Sequence, residues 1–381
     1  MQIVDRKSFD KLIDVLQARG FEVVGPMVRD GAVVYDHLQS AAELPIGWTD
    51  RQAPGTYRLI KQDHAALFGY SVGPHSWKKF LLPPTHRLWR SRRSGQGFEI
   101  MTDAEKTPRY ALIGGRACEL KAIEVQDKVF LGGLSKEPVY KSRREGIFIV
   151  AVNCNEPGGN CFCRSMQTGP KVAGPFDLAL TEVLHGDAHY FIVEAGSAKG
   201  RAVMADVPHQ PAGATEMDIG EKLAKQSAAR MGRTLDTADI KQLLYRNREH
   251  PRWDDVAGRC LACTNCTLVC PTCFCTTVED VTNLSGEQAE RQRRWDSCFT
   301  MDFSYIHGGY IRPSVKARYR QWMTHKLASW IDQFGTSGCV GCGRCITWCP
   351  VGIDITAEAA GIRADGNSAR TDNMSRNFKT G

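Results

Sequence analysis

The sequence has no apolar run that approaches the roughly 20 residues a helix needs to cross a bilayer. Residues 1–10 are charged and lack an apolar segment, so no signal peptide is expected. No G-x-G-x-x-G follows a predicted strand and no Walker A segment is present, so nothing indicates a flavin, nicotinamide or nucleotide site on this chain. The 15 cysteines are grouped, not scattered as in an oxidised disulfide scaffold. These absences predict a cytoplasmic protein without a membrane span.

Eight of the cysteines form two copies of one run, C-x2-C-x2-C-x3-C-P. The copies are Cys260, Cys263, Cys266, Cys270 and Pro271, then Cys339, Cys342, Cys345, Cys349 and Pro350. In two-cluster ferredoxins with this spacing, each run gives its fourth cysteine to the other cluster. The spacing therefore predicts two [4Fe–4S] clusters and a role in electron transfer. Paired zinc sites are the alternative, but zinc sites usually have longer gaps between cysteine pairs.

The exchange of fourth ligands assigns each cysteine to a cluster. Cluster 1 is expected on Cys260, Cys263, Cys266 and Cys349, and cluster 2 on Cys339, Cys342, Cys345 and Cys270. Glycines 338, 341 and 343 are expected to let the backbone approach cluster 2 closely.

Four further cysteines, Cys118, Cys154, Cys161 and Cys163, precede these runs. Cys118 and Cys154 follow two predicted strands, and loops after adjacent parallel strands meet at one edge of a sheet. We therefore predict a third [4Fe–4S] cluster on these four residues, which raises the iron content from about eight to about twelve per chain. A zinc site and inert buried thiols are the alternatives.

The last three cysteines, Cys273, Cys275 and Cys298, are interpreted as packing and hydrogen-bonding groups around a cluster, with a labile ligand or a redox thiol as the alternative. The ten histidines have no metal-ligand spacing.

Two clusters offset about four units of the formal charge of +7, and three offset about six, which leaves the loaded protein close to neutral. No nucleic-acid partner is predicted, since no basic stripe interleaved with aromatics is present. The basic residues Arg87, Arg90, Arg92 and Arg93 fit a solvated loop or a patch for a phosphate or partner.

The fold is predicted as α+β, with an N-terminal α/β domain on a small mixed sheet and a helical ferredoxin-type domain. The predicted domains are 1–215, with the third cluster site, and 216–360, with two clusters, followed by a polar tail at 361–381. In the first domain, periodicity predicts helices at 7–19, 118–131 and 176–184, strands at 110–115, 146–154 and 188–196, a hairpin at 21–36, and loop with short strands at 54–98. In the second domain it predicts helices at 217–231, 234–248 and 314–333 around a charged segment at 279–294.

Several segments resemble one known family over roughly positions 70–355. They are GPHSWKKFLLPP, RACELKAIE, NCNEPGGNCFC, CTNCTLVCPTCFC, RWDSC and CVGCGRCITWCPVGIDI. They resemble the iron–sulfur β subunit of cytosolic NAD(P)-linked [NiFe] hydrogenases (sulfhydrogenases), a family that also includes the corresponding iron–sulfur subunit of anaerobic sulfite reductase. The resemblance implies a relay subunit with no substrate site. It implies a partner flavoprotein of the ferredoxin–NADP reductase type that holds FAD and binds NAD(P), and the small and large [NiFe] hydrogenase subunits.

Three other functions remain open at this point. The same subunit could serve sulfite or sulfur reduction. A stand-alone ferredoxin-like carrier is a second alternative and should be stable and soluble alone, whereas a complex subunit should expose an apolar docking face. A DNA-processing iron–sulfur protein is disfavoured, because no helicase or nuclease motif accompanies the clusters.

Overall fold

A computed structural model of the chain describes residues 1–101 and 107–364. Its strands are β1 (Gln2–Asp5), β2 (Glu22–Arg29), β3 (Ala32–His37), β4 (Trp48–Ala53), β5 (Thr56–Lys61), β6 (Thr85–Ser94), β7 (Gly97–Met101), β8 (Tyr110–Gly115), β9 (Phe148–Val152), β10 (Leu178–His185), β11 (Ala188–Ala195), β12 (Gln210–Pro211), β13 (Thr276–Thr282), β14 (Gln288–Trp295), β15 (Tyr305–Ile306) and β16 (Gly309–Tyr310). Its helices are α1 (Phe9–Ala18), α2 (Lys78–Leu81), α3 (Ala117–Phe130), α4 (Pro138–Glu145), α5 (Ala198–Met204), α6 (Ala214–Ala229), α7 (Ile240–Arg246), α8 (Arg252–Arg259), α9 (Asn265–Leu268), α10 (Val315–Thr324), α11 (Trp330–Phe334) and α12 (Arg344–Thr347). Residues 355–364 are also helical.

The N-terminal part is organised around an eight-stranded mixed sheet in the order β12-β1-β11-β10-β9-β8-β2-β3. The four strands β2, β8, β9 and β10 are parallel, and antiparallel strands flank them. All five residues of β9 are buried, as expected for a parallel strand covered on both faces. Side chains of α1 pack in one hydrophobic cluster and those of α3 in another. The sheet is mixed, as predicted, but larger than the small sheet that the sequence indicated.

One element of this sheet was wrongly predicted. Residues 176–184 were expected to be a helix, but Leu178–His185 forms β10. This strand is parallel to β9 on one side and antiparallel to β11 on the other, and its first six residues are buried. A short apolar run buried on both faces does not reveal its periodicity, so its pairing with two neighbouring strands decides the structure.

A second, four-stranded sheet has the order β13-β14-β6-β7. It joins strands from both sides of position 215, and the division there into two domains stays a prediction. The charged segment 279–294 supplies the paired strands β13 and β14. The four arginines of the basic run lie on the ten-residue strand β6, not in a loop, and Arg87 is 3.3 Å from Glu290 on β14.

The C-terminal part contains strands β13–β16 as well as helices α10 and α11 between the two cysteine runs, so the region predicted as a helical domain is mixed. The predicted helix at 217–231 is α6, whereas that at 234–248 is confined to Ile240–Arg246. The helix predicted at 314–333 is α10 and α11 joined by a π-helical segment, His325–Ser329. Beyond position 364 the predicted polar tail lies outside the described residues. Across the ranges that the structure describes, no helix combines the length and apolar character that a membrane span requires.

Candidate iron–sulfur centres

The four cysteines expected to hold cluster 1 surround one pocket. Cys260, Cys263, Cys266 and Cys349 line a pocket with about 430 Å³ of empty space. Cys260 directly follows α8, Cys266 lies in α9, and Cys349 follows α12. Burial, and then the neighbouring sulfurs of Cys260 and Cys349, raise the pKa of the Cys266 thiol. The fourth cysteine of the second run therefore lies beside the first three of the first run.

The pocket offers hydrogen-bond donors to a sulfur-rich group. The backbone N–H of Ala262 donates to Cys260 Sγ at 3.4 Å, and that of Ile353 donates to Cys349 Sγ at 3.3 Å. Tyr319 and Trp322 also line the pocket, and each has a buried polar atom without a hydrogen-bond partner among the described residues. Four cysteines and N–H donors that line one pocket fit a [4Fe–4S] cluster.

Most of the cysteines expected to hold cluster 2 are buried. Cys270, Cys339 and Cys342 are buried, and Cys345 is half-buried. Burial raises the pKa of the Cys339 thiol to about 12. Burial, and then Cys339, Cys342 and Cys270, raise the pKa of Cys345. The first run's fourth cysteine thus lies among the first three of the second run, so both runs show the crossed arrangement that the spacing predicted.

The third group forms where the sequence placed it, at the ends of β8 and β9. Cys118 lies in the first turn of α3, and Cys154 follows β9 closely. Burial, and then Cys154, raise the pKa of Cys161 to about 12, and burial followed by Cys161 and Cys154 raises that of Cys163. The pKa of Cys118 is raised by burial and then by Cys163. The four sulfurs are therefore neighbours in a buried site.

Within residues 1–101 and 107–364, no three His, Cys, Asp or Glu side chains converge as closely as a single metal ion requires. A [4Fe–4S] cluster separates its four sulfur ligands more widely than one ion does, because each sulfur binds a different iron atom.

The loop that carries Cys161 and Cys163 packs directly against the second cysteine run. The N–H of Phe162 donates to the carbonyl of Gly341 at 2.8 Å, and Cys161 Sγ is 3.7 Å from the carbonyl oxygen of Cys342. Gly341 has φ +64°, and a Cβ there would meet the backbone of Phe162 and Cys163 at 2.7 Å. Glycines of the second run therefore make room for the third-group loop, and Gly338 makes room for the Trp330 side chain. They were expected to make room only for cluster 2.

A buried ion pair that sequence reasoning missed joins the same two regions. Arg344 Nη2 and Glu119 Oε1 are 2.6 Å apart, and both side chains are almost completely buried. Arg344 also donates to the carbonyl oxygens of Gly73 and His75, while Glu119 accepts from the hydroxyl of Tyr35. Burial alone would lower the pKa of Arg344, but Glu119 and Cys342 raise it, so the guanidinium stays charged. Glu119 follows Cys118 and Arg344 precedes Cys345, but nothing in the sequence indicates that these two charges meet.

A second missed feature is a pair of buried lysines. Lys326 Nζ donates to Cys270 Sγ at 3.1 Å and lies 3.5 Å from Cys273 Sγ. Lys78 Nζ lies 3.8 Å from the centre of the Trp295 ring. Both residues are only 5% exposed. Cationic groups beside thiolates offset the negative charge of a cluster site, so these lysines belong to the electrostatics of the second group. Isolated lysines in the sequence carry no such signal.

The described geometry and a sequence comparison define the class of protein. A family model described as a 4Fe-4S dicluster domain matches residues 259–353, which contain both cysteine runs. The chain therefore has a C-terminal 4Fe–4S dicluster domain and belongs to the iron–sulfur proteins that transfer electrons.

A curated relative identifies the family. The chain is 32% identical to sulfhydrogenase 2 subunit beta of Pyrococcus furiosus over 284 residues, which cover 73% of this chain and 79% of the relative. No solved structure matches the chain. The chain belongs to the family of sulfhydrogenase β subunits, which confirms the resemblance found in the sequence.

Proposed function

We propose that this chain is the electron-relay subunit of a multi-subunit NAD(P)-dependent [NiFe] hydrogenase. The observation that carries the proposal is the continuity of the three cysteine groups. Cys161 of the third group lies against the Cys342 carbonyl in the second, and Cys345 of the second group lines the pocket of the first. A [4Fe–4S] cluster supplies reversible one-electron transfer when bound. The contacts between the three cysteine groups support a path for electrons between the clusters proposed there.

The residues assigned to each site follow from the sulfurs that lie together. Cluster 1 is assigned to Cys260, Cys263, Cys266 and Cys349, cluster 2 to Cys339, Cys342, Cys345 and Cys270, and cluster 3 to Cys118, Cys154, Cys161 and Cys163. The grouping of sulfurs in the structure supports each set. No residue of the chain is given a catalytic role.

The surface beside the first group suits a docking partner. Cys263 is exposed, and the neighbouring Leu261 and Val351 are 63% and 39% exposed. Exposed apolar side chains next to a redox site favour contact with another protein. We assign this end to an electron-transfer partner. The partners proposed are a flavoprotein of the ferredoxin–NADP reductase type, with FAD and an NAD(P) site, and the small and large [NiFe] hydrogenase subunits, in keeping with the relative's name.

Iron analysis and spectroscopy test the ligand assignment. Anaerobically prepared chain is expected to contain about twelve irons, because three [4Fe–4S] clusters bind four each. Cys118→Ser should remove the third cluster's signal and about four irons. Cys349→Ser should perturb the cluster of Cys260, Cys263 and Cys266. Loss of the cluster of Cys339, Cys342 and Cys345 in that variant would show that the crossed ligation is wrong.

Isolation of the chain with its native partners tests the complex. Anaerobic purification followed by mass spectrometry should recover a flavoprotein and [NiFe] hydrogenase subunits. Recovery with a sirohaem protein would assign the chain to sulfite reduction. A chain that purifies alone, soluble and fully loaded with iron, would contradict the subunit role.

A further inference from the structure

Two cysteines outside the three proposed cluster sites form a close pair. Cys275 directly precedes β13, and Cys298 lies three residues after the end of β14. Their side chains are hydrogen-bonded to each other, and the backbone N–H of Cys298 also donates to the Cys275 sulfur. The two residues are 23 positions apart in sequence, so the fold, not local chain geometry, brings them together.

The β13–β14 hairpin holds this pair in place. Thr276 pairs with Trp295, and the N–H of Asp296 donates to the carbonyl of Cys275 at 2.9 Å. Cys298 thus follows two residues after the last backbone partner of the hairpin. Both cysteines therefore lie just beyond the same end of this antiparallel ladder.

The pair lies beside the cysteines proposed for clusters 1 and 2. Cys266 of the first group is an electrostatic neighbour of Cys298. The ammonium of Lys326, which contacts Cys270 of the second group, lowers the pKa of both Cys275 and Cys298 as one contribution among several. The hydrogen bond between the two side chains lowers the pKa of the Cys275 thiol and raises that of Cys298, so Cys275 is the residue of the pair that more readily forms the thiolate that reacts in thiol–disulfide chemistry. Both cysteines are half-buried, so neither is sealed in the core as an inert thiol would be.

We propose that Cys275 and Cys298 are a redox-active dithiol that exchanges two electrons with the neighbouring [4Fe–4S] clusters. Oxidation breaks two S–H bonds, forms one Sγ–Sγ bond, releases two protons and reduces two oxidised clusters by one electron each. The reverse reaction consumes two electrons from reduced clusters and two protons. The inference rests on the proposed function, because the clusters are the electron partners. It adds a two-electron sulfur couple to a one-electron relay.

Cys273 provides a matched control inside the same motif. Its side chain is hydrogen-bonded to Cys270, a proposed cluster ligand, and contacts Lys326. The Cys273 side chain therefore contacts the second group and is not expected to form a disulfide with Cys275 or Cys298.

Mass spectrometry of the loaded chain at controlled potential tests the proposal. Samples of the anaerobic full-length chain, equilibrated with redox dyes, are quenched in acid, alkylated and digested without reductant. A peptide joined through Cys275 and Cys298 should appear at high potential and disappear at low potential. For a two-electron couple, the disulfide-to-dithiol ratio changes tenfold for about every 30 mV. Cys273→Ser should keep this behaviour, and Cys275→Ser should abolish it with an unchanged iron content.

The outcomes separate this inference from the proposed function. Full iron content with both cysteines alkylated at every potential would overturn the dithiol proposal and leave the relay intact. Loss of about four irons in Cys275→Ser or Cys298→Ser would overturn it by making the residue a cluster ligand. Iron-free wild-type chain without cluster signals would overturn the relay function itself.

Discussion

The eight-stranded sheet and the two cysteine runs are built in different ways. The central strands bury aliphatic side chains such as Leu112, Ile113 and Val150 completely, and backbone ladders hold them. The runs are anchored by α9 and α12, helices of only four residues each. Their sulfurs form part of the wall of a second core around Trp322 and Tyr319. The sheet contains its own stabilising contacts, whereas the short helices of the runs bring together free cysteines that the proposed clusters would bind.

Removal of iron should give the largest difference in amide-exchange protection between the two regions. Anaerobic chelation is expected to abolish amide-exchange protection in 260–270 and 339–349, because binding of a structural metal contributes on the order of 10 kcal/mol to folding in small metal-dependent domains. β8 and β9 should remain protected. Hydrogen exchange measured by mass spectrometry checks both regions at once. Equal loss of protection in the sheet would show that the two regions fold as one unit.

The buried ion pair should give the next largest effect. Arg344→Met leaves Glu119 without its buried partner, and breaking such a pair costs about 3–5 kcal/mol. Anaerobic urea unfolding of the iron-loaded chain measures the change in unfolding free energy. The double variant Arg344→Met with Glu119→Gln is the control, and it should be less destabilised than the sum of the two single variants. Strict additivity would mean that the pair does not couple the sheet to the second run.

The buried lysines should affect electron affinity more than stability. Lys326→Met removes a positive charge that contacts Cys270 Sγ, so reduction of cluster 2 becomes less favourable. Its midpoint potential should fall by on the order of 100 mV, for a charge a few ångströms away at an effective dielectric constant of about 20. Redox titration followed by electron paramagnetic resonance measures the shift. Lys78→Met is the matched control and should shift the potential less, since Lys78 Nζ packs on Trp295 and hydrogen-bonds to the Leu268 carbonyl. Equal shifts of the midpoint potential in the two variants would mean that the effect does not depend on the contact between Lys326 and Cys270.

An exposed ion pair should give the smallest effect. Arg291 and Asp280 lie across from each other on β14 and β13, 2.6 Å apart at their closest, and both side chains are exposed. Solvent screens such a pair, so Arg291→Ala should leave the melting temperature unchanged within error. A clear drop in circular-dichroism melting would show that the second sheet depends on its surface charges.

Local patterns in the sequence were the most reliable guide to this structure. The helix at 7–19, the hairpin at 21–36 and the strands at 110–115 and 146–154 are confirmed as α1, β2–β3, β8 and β9. The helix and the hairpin have a clear apolar period, and the two buried strands are short apolar runs with a glycine or charged residue at a boundary. The spacing of the cysteine runs predicts which sulfurs share a cluster, because ligand spacing reflects the size of the bound group, and that assignment stays a prediction.

Features that depend on distant pairing could not be obtained in this way. Strand β10 was mistaken for a helix, and strand β6 pairs with β14 from beyond position 215. The Arg344–Glu119 pair joins residues 225 positions apart. In each case the partner, not the local sequence, determines the outcome, and a single sequence contains no signal for which distant segments meet.

The contact between Phe162 and Gly341 limits how this protein can be recombined. A ferredoxin module taken from another protein and joined near position 216 would meet the 160–163 loop without the glycine that makes room for it. Conversely, the N-terminal half expressed by itself would expose the side of that loop now covered by the second run. Exchange of the dicluster region between relatives therefore has to include the loop at 154–163, and the two segments have to change together.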